Sequence, residues 1–164
     1  MEQVTKNNNT TKKKGSRKPS TKKKKLYGTS KLEEDFARDF LDKLKLRYIY
    51  QFKTNIGRWY DFYLTDYRIL IEIDGGYWHS DPRIVKEDKL TPTQKHNKRV
   101  DEDKNRWALL HGIPLIRIWE KDIRENPNQV MNMLRERLKL RGEDIQRDKN
   151  MAKRHINKLN ENKN

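Results

Sequence analysis

The sequence predicts an α/β protein: a mixed four-stranded sheet, built from a three-strand meander and one parallel strand, flanked by helices in the order αβββαβα. Three observations carry this. Three strand-like runs follow one another with short connections: YIYQFK (48–53), RWYDFYL (58–64) and RILIEID (68–74). A long helical segment separates the third run from a fourth, LIRIWE (115–120), as a parallel crossover requires. Segments with helical apolar spacing stand before the first strand and after the last.

Along the chain, residues 1–26 are a basic, low-complexity arm almost without apolar side chains. Such a segment buries too little surface to offset its ordering entropy and is expected to be disordered. TSKLEEDFARDFLDKLKLR opens the folded region, 27–140. Ser30 is its N-cap, Glu33 stands three residues on, and Leu32, Phe36, Phe40 and Leu44 form the stripe. TDY joins the second and third strands as a tight hairpin. Gly75, Gly76, Pro82 and Pro92 break residues 75–92 into a loop. A helix is expected from about Thr93 to His111, stopped by Gly112 and Pro114. NPNQVMNMLRERLKL is a short closing helix with Pro127 in its first turn. Residues 141–164 are a basic tail, mostly disordered or helical, without a clear apolar face.

Charge divides the chain in the same places. The formal net charge is +15. Residues 1–25 carry ten Lys/Arg against one Glu, and residues 141–164 carry seven against four acids. The middle is nearly balanced, 22 against 19. A balanced body with basic ends favours a polyanionic partner, most simply nucleic acid. The absence of cysteine excludes disulfides and thiolate zinc sites. No apolar run is long enough for a membrane span, and no secretory leader is visible. An intracellular, cytoplasmic or nucleoid location follows as the expectation.

The chemistry is carried by acids. Alternation points Ile69, Ile71 and Ile73 one way and Glu72 and Asp74 the other. Hairpin pairing brings Asp61 near that pair. Carboxylates so crowded repel one another unless a cation sits among them, and three oxygen donors with room for water suit Mg²⁺. Each acid also has an ordinary reading. Asp74-Gly75 opens a turn, and Glu72 faces solvent on a one-sided sheet. On the helices, Asp103 falls in line with Val100, Trp107 and Leu110, while Asp101 and Glu102 do not. Glu33 falls in line with Phe36, Ala37 and Phe40. The ordinary reading makes Glu33 a capping-box residue and Asp103 a rim acid paired with an Arg. His79, five residues after Asp74, is placed to act on water or on a phosphate.

SKLEEDF, GRWYDFYL, IEIDGGYWH and RVDEDKNRWALLHGIPLIRIWE together resemble nucleases of the PD-(D/E)xK restriction-endonuclease-like superfamily. The branch most similar contains very-short-patch repair endonucleases and homing endonucleases of the same fold. The resemblance covers roughly residues 29–125. It implies a restriction-endonuclease-like core with site residues at Glu33, Asp61, Glu72, His79 and Asp103. The lysine that usually follows the acid at the place of Glu72, on the third strand, is replaced by Asp74. His79 then takes the lysine's part, or Asp74 becomes a further ligand. Patch-repair enzymes carry a cysteine-bearing zinc site that this chain lacks.

The expectation is therefore a DNA endonuclease dependent on Mg²⁺, with Mn²⁺ able to substitute, of homing or phage type. Asp61, Glu72 and Asp74 hold the metal, His79 orients or deprotonates water, and Glu33 and Asp103 act from the outer shell. Lys12, Lys13, Lys14, Arg17, Lys18, Lys22, Lys23, Lys24 and Lys25 of the arm bind phosphate, and Arg58 touches the backbone. Tyr77 and Trp78 stack on or wedge between bases, with the competing reading that Trp59, Trp78 and Trp119 fill core. A homodimer on DNA is compatible with this. The alternative function is a catalytically inactive nucleic-acid-binding module, and a third reading is a basic structural or packaging protein.

Overall fold

The computed structural model describes residues 30–161. The arm and its nine phosphate-binding candidates, Lys12 to Lys25, lie outside the described residues. Helix α1 (Lys31–Phe36) begins at Ser30, whose Oγ accepts from the Glu33 N–H, and passes into a π-helical turn (Ala37–Leu41). The helix is shorter than the stripe predicts. Lys45 adopts φ 53°, and the Leu46 N–H turns back to the Leu41 carbonyl, closing the segment.

Strands β1 (Tyr48–Lys53), β2 (Trp59–Leu64) and β3 (Ile69–Asp74) form an antiparallel meander. Helix α2 (Pro92–Leu110) crosses back, and β4 (Leu115–Trp119) pairs parallel with β3. The sheet order is β1-β2-β3-β4, a four-stranded mixed sheet with the predicted strand makeup. Two helical details differ from expectation. Glu120, read as the end of the fourth strand, opens a short helix α3 (Glu120–Glu125). The closing helix α4 (Pro127–Glu161) runs unbroken through the point where a tail was drawn. Gly142 does not break it, because the β2–β3 turn packs there. The Tyr67 ring comes within 3.9 Å of where a Gly142 Cβ would stand, and Arg141 Nε donates to the Tyr67 carbonyl.

The sheet separates two unequal layers. Between it and α1 and α4 lies the larger core, with Phe36, Phe40, Phe62, Ile69, Ile71 and Ile73 against Val130, Leu134 and Leu138. Phe36 and Phe40 stack at 4.8 Å. Under α2 the apolar cluster is small: Tyr60, Leu70 and Ala108, flanked by Trp107 and Ile113. Glu72 and Asp74 share that second face, as the alternation requires. No helix among the described residues is long and apolar enough to cross a membrane.

The first two strands change layers partway. Tyr50 belongs to the larger core and Phe52 to the smaller, although residues two apart on a straight strand share a face. Phe62 and Tyr60 divide in the same way on β2. The crossing point is the gap in the β1–β2 register at Gln51 and Asp61, between Tyr50–Phe62 and Phe52–Tyr60, with Gln51 at φ 55°. There the β2–β3 ladder also stops at Phe62–Ile71, and side chains replace it. The Ile73 N–H donates to Asp61 Oδ2 at 2.7 Å, and the Asp61 N–H donates to Glu72 Oε1 at 3.3 Å.

Candidate active site

The splayed end of the hairpin gathers oxygen atoms. Glu33 comes from α1, Asp61 from β2 and Glu72 from β3. Tyr50 Oη and Gln51 Nε2 each donate to Glu33 Oε2 at 2.9 Å, and Ser30 Oγ donates to its Oε1 at 2.8 Å. The left-handed conformation of Gln51 brings its amide to this acid. Glu72 is almost fully buried, and Lys104 of α2 donates to its Oε2 at 2.6 Å. Asp61 forms no ion pair among the described residues. Burial first, then the charges of Glu72 and Glu33, raise its pKa well above the ordinary carboxylate value. Glu72 is raised too, by burial, against the opposing pull of Lys104 and Arg117.

A second group adjoins the first along β3. Asp74 is 1 % exposed, and both its oxygens accept from Arg117 of β4 at 2.7 Å. The same guanidinium donates to Asp101 Oδ1 at 2.8 Å. His79 Nδ1 lies 2.8 Å from Asp101 Oδ2 and 3.5 Å from Asp74 Oδ1. Burial disfavours the imidazolium, yet the Asp101 hydrogen bond and the two carboxylate charges outweigh it, and the His79 pKa is raised. Burial likewise opposes the Asp101 charge, but His79 and Arg117 win and its pKa is lowered.

The loop carrying His79 is fixed at three places. Gln94, buried in α2, donates to the Tyr77 carbonyl at 2.7 Å, and Asn97 donates to the Trp78 carbonyl at 3.0 Å. Asp81, with no exposed surface, accepts from the Arg83 guanidinium, which also reaches Asp122 of α3. Tyr77 and Trp78 themselves stand more than half exposed, edge to face at 5.1 Å. They are not core residues.

Of the predicted residues, Glu33, Asp61 and Glu72 meet, and Asp74 meets His79. The three predicted metal ligands do not converge as one set. Glu72 and Asp74 sit two positions apart on one strand, about 7 Å in length, so each serves a different group. Among the described residues the acids and histidines whose donor atoms converge are Asp74, His79 and Asp101, within 4.8 Å of one another. Asp103 lies elsewhere: it is half exposed and paired with Arg58 at 2.6 Å, the rim arrangement. That pairing also engages the predicted backbone contact Arg58. The inward acid is Asp101, because the seam of α2 runs through Gln94, Asn97, Asp101, Lys104 and Ala108. Phasing the helix on Leu110 misplaced the seam, since Leu110 is 77 % exposed. Sequence reasoning missed Asp101, Lys104 and Arg117. Arg117 left one signal, a lone charge inside an apolar strand.

Asp61 and Glu72 offer carboxylate oxygens of the kind a hard divalent cation takes, and Asp61 forms no ion pair among the described residues, although the Ile73 N–H and the Lys104 charge partly offset its burial. A cation there would have to displace Lys104 from Glu72, just as one at Asp74 would have to displace Arg117. No family model, curated protein or solved structure matches the chain in comparisons with known proteins.

Proposed function

We propose that the chain is a divalent-metal-dependent DNA endonuclease with a restriction-endonuclease-like core, acting within the cell on a phosphodiester bond. The observation that carries this is the grouping of Asp61 and Glu72 where the hairpin splays, with the Glu33 charge acting on Asp61, beside a His79–Asp101 pair held at Asp74, two positions along β3 from Glu72. Mg²⁺, or Mn²⁺ in its place, held by Asp61 and Glu72, would supply charge relief at phosphorus and an acidified water. Glu33 holds water beside Asp61 from the outer shell. Asp101 and Asp74 engage Nδ1 and favour the imidazolium, which leaves Nε2 for the substrate; in that form His79 would neutralise a phosphate oxygen or protonate the leaving oxygen. Asp101, rather than the expected helix acid Asp103, holds His79. Tyr77 and Trp78, presented on a clamped loop, stack on or wedge between bases. The basic ends of the chain bind backbone phosphate, and two copies on one site would cut both strands.

Plasmid cleavage with Mg²⁺ tests the reading. Wild type is expected to nick or linearise the plasmid, and Asp61→Ala to lose about 100-fold or more of that activity. Equal background from both proteins, with equal folding, overturns it. One observation favours a second reading, a binding module without activity: Lys104 and Arg117 already occupy Glu72 and Asp74. Metal-independent DNA binding with no cleavage selects that module.

A further inference from the structure

A cavity of about 550 Å³ opens beside the His79 network, between α2 and the loop that follows His79. Its end wall is His79 with Asp74 and Arg117. Val85, Leu90 and Trp119 supply apolar lining, and Ser80 and Asn105 neutral polar lining. Lys86, Glu87, Lys98, Asp101 and Glu102 supply charged lining. We infer that this cavity receives a single nucleobase, unstacked from the strand being cut; the source of the base rests on the endonuclease reading.

Four features define the ligand. The volume lies within the range of about 300–1,000 Å³ typical of small-molecule sites, ample for one base and its sugar. The walls combine half-buried apolar side chains with an indole, which suits the faces of a flat heterocycle. Ser80 lines the cavity, and its buried Oγ has no hydrogen-bond partner among the described residues, so a rotation about its Cα–Cβ bond would offer the hydroxyl to an edge bearing donors and acceptors. Ser80 also holds φ 58°, a conformation that side-chain-bearing residues rarely adopt. Free anions do not suit the cavity. Arg117 is matched by Asp74 and Asp101, Lys98 by Glu87, and the remaining cation, Lys86, is offset by the charge of Glu102. A neutral, planar, polar-edged group remains. With His79 forming the end wall, a base seated here brings its own phosphodiester to the reacting side chains.

The test compares binding of the full chain, without divalent metal, to a fully paired duplex and to the same duplex with one unpaired adenine. An unpaired base is already free of most stacking and pairing, so wild type is expected to prefer it by roughly tenfold. Val85→Trp and, separately, Leu90→Trp fill the cavity. Each is expected to lose the preference while keeping the paired-duplex affinity and the unfolding midpoint. No preference in wild type, or a preference that survives both fillings, overturns the inference. Mg²⁺-dependent cleavage by that same wild type then leaves the endonuclease reading standing. If no duplex binds, ligand-observed NMR with deoxyadenosine decides. Saturation lost in Val85→Trp keeps the cavity as a nucleoside site and sinks the endonuclease; no saturation overturns both.

Discussion

Lys104 is the side chain on which the metal-free site depends. Its ammonium is the cation bonded to Glu72, a carboxylate with 3 % of its side chain exposed. Removing one partner of a buried ion pair leaves the other charged and dry, which costs about 3–5 kcal/mol. Lys104→Met is therefore expected to lower the urea midpoint markedly in metal-free buffer. Glu72→Gln added to it should recover most of the loss, and a single variant as stable as wild type would rule the pair out. The His79–Asp101 pair makes a pH prediction of the same kind. The His79 pKa is raised on folding, so its stabilisation is complete below the ordinary imidazole value and fades as pH rises through the folded one. The Asp101 pKa is lowered, so its stabilisation stands above the ordinary carboxylate value and fades as pH falls. Urea midpoints followed from acid to mildly alkaline pH should fall on both flanks in wild type. In His79→Gln the alkaline decline should vanish. At this scale the sequence was legible wherever β-alternation applies: Ile71, Ile73, Glu72 and Asp74 point as read. It misled at Asp103, because a polar helix seam leaves no apolar phase to follow.

The elements show what local signals determine. Thr91 accepts from the Gln94 N–H while the Gln94 side chain reaches back to the Thr91 N–H, a complete capping box that starts α2. The cap does more than start a helix, since the same Gln94 amide holds the Tyr77 carbonyl. Thr91→Ala is expected to cost about 1 kcal/mol and to loosen the His79 loop, read as faster amide exchange at residues 77–80. Unchanged exchange with a lowered midpoint would confine the cap to α2. At the other end Gly112 takes φ 61°, with open space where a Cβ would stand. Gly112→Ala should cost about 1 kcal/mol from backbone conformation alone. The C-terminal end of α2 was legible from Gly112 and Pro114. Its start was not: Pro92 reads as a loop breaker, which sets the start at about Thr93 and leaves out the cap. Nor was the layer change at Gln51 and Asp61. No glycine or proline marks it, and it arises from packing Tyr50 and Phe52 into opposite cores. The continuity of α4 past Gly142 was hidden for a similar reason: the contact with Tyr67 is remote in sequence.

At the scale of the whole molecule, charge and fold divide the work. The body is nearly neutral and spends its cations internally: Lys104 on Glu72, Arg117 on Asp74, Arg83 on Asp81, Arg58 on Asp103. A surface so matched gains little from a polyanion at long range. The excess charge lies at the ends, with ten Lys/Arg in residues 1–25. Each phosphate contact made by such a cation releases counterions and steepens the fall of affinity with salt by about 0.9 on logarithmic axes. Deleting residues 1–25 should therefore weaken duplex binding at low salt and flatten the slope by several units. The unfolding midpoint of the remainder should stay where it was, because the buried clusters draw on residues 32–138. Cleavage at saturating DNA should also persist, since Asp61, Glu72 and His79 are retained. The measurement is fluorescence anisotropy across a salt series, run beside plasmid cleavage. An unchanged slope would rule out the arm, and if removal of residues 141–164 also left it unchanged the phosphate contacts would lie on the body. The paired cations named above would then have to exchange their carboxylates for phosphates whenever the chain binds DNA.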